Sequence, residues 1–310
     1  MPLNSKLKTP VAFVIFKRPE TTRRVFEAIR QAKPAKLLVI ADGPRDRVPG
    51  EAEECAVTRK IVEDIDWDCE VLKNYSPVNL GCKKRVSSGL DWVFDNVEEA
   101  IILEDDCLPD PTFFSFCENL LEKYRDDSRI FSISGQNLLF GQKRTEYSYY
   151  FSRHTYVWGW ATWKRAWQHY DPEMKLWPEI KTSGFLHDIL NDSQAVKDWS
   201  KSFQELYEKE VNTVWDYRWM FACWVQNGIN IHPNSNLISN IGFGLGATNT
   251  SRKNSKYAEM LTEPVTFPLK HPPFMICDRQ ADNYVQQNVY RSSNIIEKAF
   301  LKIEKTMAWT

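Results

Sequence analysis

The chain lacks a glycine-rich turn after its first apolar run, and that absence removes one class of nucleotide site. The turn reads Lys17-Arg18-Pro19-Glu20, where a dinucleotide-binding crossover places glycines for close approach to pyrophosphate. No G-x-x-x-x-G-K-[ST] segment occurs, which excludes a P-loop. Seven cysteines, at positions 55, 69, 82, 107, 117, 223 and 277, form no C-x-x-C pair and no zinc-like spacing with histidine. Their odd number and scatter predict reduced thiols rather than a disulfide framework. The histidines, His154, His169, His187, His232 and His271, show no spacing that suggests a shared metal. An excess of either charge is also missing. Forty basic residues face 41 acidic ones for a net charge of −1, so no broad footprint for nucleic acid exists. No apolar run approaches the roughly 18 residues needed to cross a bilayer. Met1 to Pro10 is polar, without the apolar stretch of a signal peptide. The expectation is a cytoplasmic protein, with peripheral contact at the inner face of a membrane left open.

What is present is an alternation of elements. Residues 11–16 form a continuous apolar run that fits a strand buried on both faces. A helix follows from about Glu20, with Val25, Phe26 and Ile29 inward. Leu37 to Ala41 is the next strand, stopped by Asp42-Gly43-Pro44, and a short helix ends over Ile61 to Asp64. Glu70 to Leu72 reads as a weak strand. Asn79-Leu80-Gly81 punctuates the chain before a helix from about Lys84 to Asp95. Ala100 to Leu103 is a third buried strand, and Asp110-Pro111 starts a helix whose inner stripe is Phe113, Cys117, Leu120, Leu121 and Tyr124. Ile130 to Ser134 is a fourth strand. This order argues an α/β fold with a mostly parallel central sheet flanked by helices, binding ligands at the carboxyl ends of its strands. We divide the chain into an α/β region over 1–140, an aromatic-rich region of the same fold over 141–260, and a C-terminal extended segment with polar helices over 261–310.

Four clusters carry candidate chemistry. Glu104-Asp105-Asp106 directly follows a buried strand, and three neighbouring carboxylates there repel one another unless a cation joins them. The bland role for them, capping the next helix, is already filled by Asp110. Lys83-Lys84-Arg85 opens a helix and reads either as an anion contact or as a solvated basic turn. Nine of the 12 tryptophans lie between Trp158 and Trp224. Trp163 and Trp167, four apart, read as one buried helix face, whereas Trp158 and Trp160 beside Gly159 read as core or as a sugar-stacking surface. Asp216, among Trp215, Tyr217 and Trp219, either caps a helix or is a general base whose pKa its aromatic surroundings raise. Gly242, Gly244 and Gly246 alternate with Phe243 and Leu245, as in a hairpin or a closing loop.

The stretch from Ile101 to Phe114, Ile-Ile-Leu-Glu-Asp-Asp-Cys-Leu-Pro-Asp-Pro-Thr-Phe-Phe, resembles the N-acetylglucosaminyltransferase I family and its bacterial relatives, glycosyltransferases of the GT-A fold. Ile15-Phe16-Lys17-Arg18, Asp42-Gly43, Val214 to Met220 and Gly242 to Thr248 follow in the family's order, so the likeness spans roughly residues 11–250. Tyr217 stands where the family has a second aspartate, and the glycine loop differs in length and charge. The resemblance implies inverting, metal-dependent transfer from a nucleotide-sugar, with UDP-GlcNAc the leading donor. In that scheme Asp106 ligates Mn2+ or Mg2+, Glu104 and Asp105 bind donor sugar and ribose hydroxyls, and Arg18 contacts the nucleotide. Asp42 lies near the base, Lys83, Lys84 or Arg85 faces the donor, Thr248 offers a hydroxyl to a phosphate, and Asp216 deprotonates the acceptor. The acceptor is a glycan, a lipid-linked glycan or a protein. A different class, a non-catalytic carbohydrate-binding protein using its tryptophans, explains the aromatics but not the acidic triplet. A sugar nucleotidyltransferase requires a glycine-rich N-terminal loop that is missing here.

Overall fold

The structure, a computed structural model, describes residues 6–209, 211, 213–243 and 255–291. Its first half alternates as the apolar runs predict: β1 (Val11–Ile15), α1 (Pro19–Ala32), β2 (Lys36–Ala41), α2 (Glu51–Ile61), β3 (Glu70–Tyr75), α3 (Cys82–Asn96) and β4 (Glu99–Glu104). There follow β5 (Cys107–Pro109), α4 (Thr112–Lys123), β6 (Ile130–Ser134), β7 (Tyr149–Ser152), β8 (Trp160–Trp163) and α5 (Lys164–Trp167). The remainder is α6 (Trp177–Ser183), α7 (Phe185–Leu190), α8 (Ser193–Glu208), α9 (Asp216–Val225), β9 (Ile229–Pro233), β10 (Ile238–Asn240) and α10 (Arg279–Val285), which runs into a π-helical turn, Gln286–Tyr290.

Eight strands form one sheet in the order β3-β2-β1-β4-β8-β6-β9-β7, with β5 and β10 paired separately. Four of its seven ladders are parallel. The sheet therefore crosses from the first region of the chain into the second without a break. The period-2 rule sorts its core. Val11, Phe13 and Ile15 of β1, Leu37, Val39 and Ala41 of β2, and Ile101 and Leu103 of β4 share one face with α1 and α4. Ala12, Val14, Leu38, Ile40, Ala100 and Ile102 share the other with α3. Burial on both faces is why these strands read as unbroken apolar runs. In β1 through β4 the parallel register places Ile15, Ala41, Tyr75 and Glu104 along one edge.

The second half departs from the sequence reading. β8 enters antiparallel between β4 and β6, so the alternation does not continue as one parallel sheet. Trp163 belongs to that strand and packs on one sheet face, while Trp167 packs on the other. The four-residue spacing placed both on one helix, but the helix begins only at Lys164. Trp160 is likewise a core residue, in a cluster with Trp167, Trp215 and Trp219. A further set of aromatics, Trp177, Trp199, Phe203, Phe221 and Trp224, interlocks in a helical lobe. All seven cysteines are free thiols. Among the described residues no helix is long and apolar enough to cross a membrane.

Candidate active site

The carboxyl edge of the parallel strands gathers acids from distant parts of the chain. Val14 of β1 lies opposite Glu104 of β4, so the turn after β1 meets the acidic triplet. That turn divides its cations: Lys17 Nζ reaches back 2.7 Å to the buried Glu51 of α2, while Arg18 turns to the triplet. Arg18 Nη2 donates to Asp105 Oδ1, and Nη1 donates to Asp106 Oδ2 at 2.9 Å. Asp105 Oδ2 also accepts from the backbone N–H of Phe16 at 3.2 Å. Asp105 is thus enclosed and occupied by its own fold, while Glu104 keeps partial access to solvent.

A third strand pair completes this wall. β10 runs antiparallel to β5 with Asn240 opposite Cys107. Beyond it, Ile241 N donates to the carbonyl of Asp106 at 2.8 Å, and Asn240 Oδ1 accepts from Gly242 N at 3.0 Å. Gly242 passes so close that a side chain there would collide with Asp106 Oδ2 and Arg18 Nη1. Glycine is required by this approach rather than by an unusual backbone angle. Gly244, Leu245, Gly246 and Thr248 lie outside the described residues.

Asp42, at the end of β2, acts as a bracket. Its carboxylate accepts from Gly43 N, Leu80 N, Gly81 N and Asn79 Nδ2 at 2.9–3.1 Å. Gly43 permits the turn to pass Val78, whose carbonyl carbon would lie 2.5 Å from an added Cβ. The bracket fixes the entry to α3 and separates the basic triplet. Arg85 points inward and donates to Asn74 Oδ1 at 2.9 Å. Lys83 is largely covered and lies 3.7 Å from Glu173. Lys84 is exposed.

Asp216 arrives as the first residue of α9. That helix is anchored by Arg218, which donates to the carbonyls of Pro172, Val214 and Leu206 at 2.9, 2.5 and 2.9 Å. Trp215 and Trp219 lock the same turn into the core. Asp216 retains partial solvent access, and burial pushes its carboxyl above the ordinary range while its own and the Tyr217 N–H pull it back. The convergence shows at Cys82, the first residue of α3. Its thiol is pushed up by burial and then by Glu104, Asp216, Asp106 and Asp42. Acids 174 positions apart in the sequence, Asp42 and Asp216, therefore both act on this thiol.

The electrostatics are unbalanced. Burial raises Glu104 to about 8, with Asp106 and Asp105 adding to it and Arg18 opposing. Burial also raises Asp105 against the attraction of Arg18. For Arg18 burial works against the charge, but the two aspartates outweigh it and hold the guanidinium protonated. Acid in excess of base, in a partly open cleft at strand ends, suits a cation that brings further anionic ligands.

The donor set decides what kind of cation fits. Among the described residues no group of three or more His, Cys, Asp and Glu side chains is arranged to enclose a metal. A hard cation held by Asp106 and mainly by phosphate oxygens fits these residues: among the described residues the donor to Asp106 Oδ1 is the weak Cys107 Sγ, 3.5 Å away.

The sequence reading named Glu104, Asp105, Asp106 and Asp216 but not the residues that pack beside them. Asn79 was legible as a turn residue, while Asn240 and Cys82 carried no signal of this role. Trp158 is half-buried near this wall, its ring 5.9 Å from Phe243 in an edge-on contact. No protein-family model matches the chain, and no curated protein sequence matches it.

Proposed function

We propose that the chain is a metal-dependent, inverting glycosyltransferase with a GT-A-like sheet, taking a UDP-linked sugar such as UDP-GlcNAc as donor. The observation that carries this reading is the meeting of Glu104, Asp106, Arg18 and Asp216 at the carboxyl edge of the parallel strands. Open α/β sheets bind ligands at that edge. This reaction needs two separate carboxylate tasks, and two carboxylates on different elements support that division. In this reading Asp106, beside Arg18, holds the donor diphosphate through Mn2+ or Mg2+. Asp216, at the start of α9, accepts the acceptor's hydroxyl proton as that oxygen attacks the anomeric carbon.

Arg18 is the side chain that stabilises the departing nucleoside diphosphate, releasing the aspartates as the phosphates arrive. Glu104, which no cationic side chain among the described residues pairs with and whose pKa is raised, is suited to hydrogen-bond a donor hydroxyl. Asp105 holds Arg18 and the β1 turn in place. A bound divalent cation neutralises phosphate charge and so makes the nucleoside diphosphate a better leaving group. Binding through a tryptophan surface is less well supported, because Trp160, Trp163, Trp177 and Trp219 are fully buried.

The test is calorimetric titration of UDP with manganese and with EDTA. Binding is expected only with metal, and Asp106→Asn is expected to abolish most of it, whereas Asp110→Asn disturbs only the start of α4, where Asp110 accepts from Thr112 N at 2.9 Å. Equal UDP affinity in EDTA sinks the metal assignment.

A further inference from the structure

The chain leaves β1 at Ile15 and enters α1 at Pro19, so the turn that carries Arg18 consists of Phe16, Lys17 and Arg18. Each of the three is tied to another element. The Phe16 N–H donates to Asp105 Oδ2 at 3.2 Å, Lys17 Nζ lies 2.7 Å from Glu51 Oε1, and the Arg18 guanidinium donates to Asp105 and Asp106. Pro19 narrows the backbone of Arg18 as well, because a residue before proline is kept out of the helical region. The turn therefore has little freedom left once Lys17 is held.

Glu51 holds it from the start of α2. An acid there usually meets the helix dipole from water, and Glu53 and Glu54 of the same turn are exposed and suited to that. The Glu51 side chain is fully buried instead, and both its oxygens are taken. Oε1 accepts from Lys17 Nζ and from Arg45 Nη2 at 2.5 Å. Oε2 accepts from Arg45 N at 2.8 Å and Arg45 Nε at 2.9 Å. Burial works against the charge, but hydrogen bonds from Arg45 and Lys17 outweigh it and lower the carboxyl to about 2. Such a buried ion cluster adds little net stability, since desolvation takes back most of the attraction. What it supplies is geometry. Lys17 has a solvated acid within 3.9 Å, Glu54, yet its nitrogen sits against Glu51. Arg45 lies three residues beyond Asp42, in the loop after β2. Farther along α2, Arg59 Nη2 donates to the carbonyls of Asp42 and Ser76 at 2.9 and 2.8 Å. One helix thus ties together the ends of β1, β2 and β3.

We propose that Glu51 is a positioning residue for Arg18: through Lys17 it fixes the turn after β1, so that the guanidinium keeps its place as it passes from the aspartates to an incoming phosphate. When Arg18 lets go of Asp105 and Asp106, the bonds at Phe16 and Lys17 are what still hold the turn. The phosphate step rests on the transferase reading. The hold on Arg18 rests on the geometry alone.

The experiment reads Arg18 without nucleotide and then with it. Side-chain NMR of the arginine-labelled protein measures solvent exchange of the Arg18 guanidinium, its signal identified by its loss in Arg18→Lys. Lys17→Met is the main variant, because it leaves Glu51 paired with Arg45; Glu51→Gln is the harsher second. Arg18 exchange should rise roughly 3-fold or more in Lys17→Met, and further in Glu51→Gln where that variant folds. By calorimetry with manganese, Lys17→Met should weaken UDP roughly 3- to 10-fold. In the Arg18→Lys background the forked grip is already gone, so the same substitution should cost little more. The proposal is overturned if Lys17→Met leaves Arg18 exchange unchanged and lowers only the melting temperature. It is equally overturned if the loss of UDP affinity is as large with Arg18→Lys as without it. Faster Arg18 exchange in a protein that binds no UDP supports the hold on Arg18 while overturning the transferase reading.

Discussion

The acidic cleft and the histidine pocket under β7 and β9 both bury ionisable groups, yet they handle charge in opposite ways. In the pocket, His232 Nε2 lies 2.9 Å from the carbonyl of His154, and the Tyr156 ring sits 4.1 Å from that of His232. Burial lowers His154 to about 4 and His232 to about 3, so each is neutral and the pocket carries no imidazolium. In the cleft, burial raises Glu104 and Asp216, but Arg18 holds Asp105 and Asp106 as an ion pair and the acids outnumber it. A structural pocket discharges its ionisable groups one by one. The cleft keeps like charges together and partly open. Burial of titratable residues is common to both regions; the excess of acid over base is what sets the cleft apart.

The largest effect is expected from Asp216→Asn, which keeps size and polarity but cannot take a proton. Turnover should fall about 10²- to 10⁴-fold. Affinity for UDP with manganese should barely change, because Asp216 belongs to another element and Arg18 pairs with Asp105 and Asp106 instead. If the variant instead loses donor affinity and keeps its rate at saturation, the division between the two carboxylate groups disappears. If it unfolds, Asp216 serves α9 and not chemistry.

Acid titration comes next and reads the histidine pocket. Both imidazoles have folded pKa values below the unfolded value of about 6.5. The unfolded chain therefore binds more protons in the window between, and stability falls as pH drops from about 6.5 toward about 3. Near pH 5 the loss is on the order of 2 kcal/mol for each histidine. His232→Phe should flatten that part of the profile in a melting series. A profile unchanged by the substitution would mean the pocket opens to water and is no true contrast to the cleft.

The smallest effect is expected from Glu104→Gln. An acid with a raised folded pKa opposes folding as pH climbs from the ordinary carboxylate range toward about 8. Glutamine removes that cost, so the variant should melt higher near neutral pH by an amount worth about 1–3 kcal/mol, nearer the lower figure because Glu104 keeps some solvent contact. Added UDP and manganese should narrow or reverse the difference. A variant less stable than wild type without ligand would place Glu104 among structural groups.

Much of the parallel half could be read from its residues. The runs Val11 to Ile15, Leu37 to Ala41 and Ala100 to Leu103 are apolar on both faces, so one strand identity satisfies every position. The stripe from Phe113 to Tyr124 buries the face that its spacing names. The acidic triplet was equally legible, because three carboxylates after a buried strand have few neutral explanations. Around Trp160 and Trp163 the reading failed. Aromatics suit helix and strand interiors alike, and a four-residue spacing fits either until a partner is known. Pairing Ala161 with Ile101 on one side and with Ile133 on the other made the segment a central strand.

The sequence by itself determined which residues carry charge at the strand end and which stretches must be buried, since both follow from side-chain chemistry and local period. Only the tertiary structure decided the company those residues keep. It tied Arg18 to Asp105 and Asp106 across 87 and 88 positions. It brought Gly242 against Asp106 through the pairing of β5 with β10, turned Arg85 inward while leaving Lys84 exposed, and set Tyr290 beside Tyr217. The physical reason is that electrostatic and packing energies act over a few ångströms in space. Sequence distance bears on them only after strand order and register have been settled by the core.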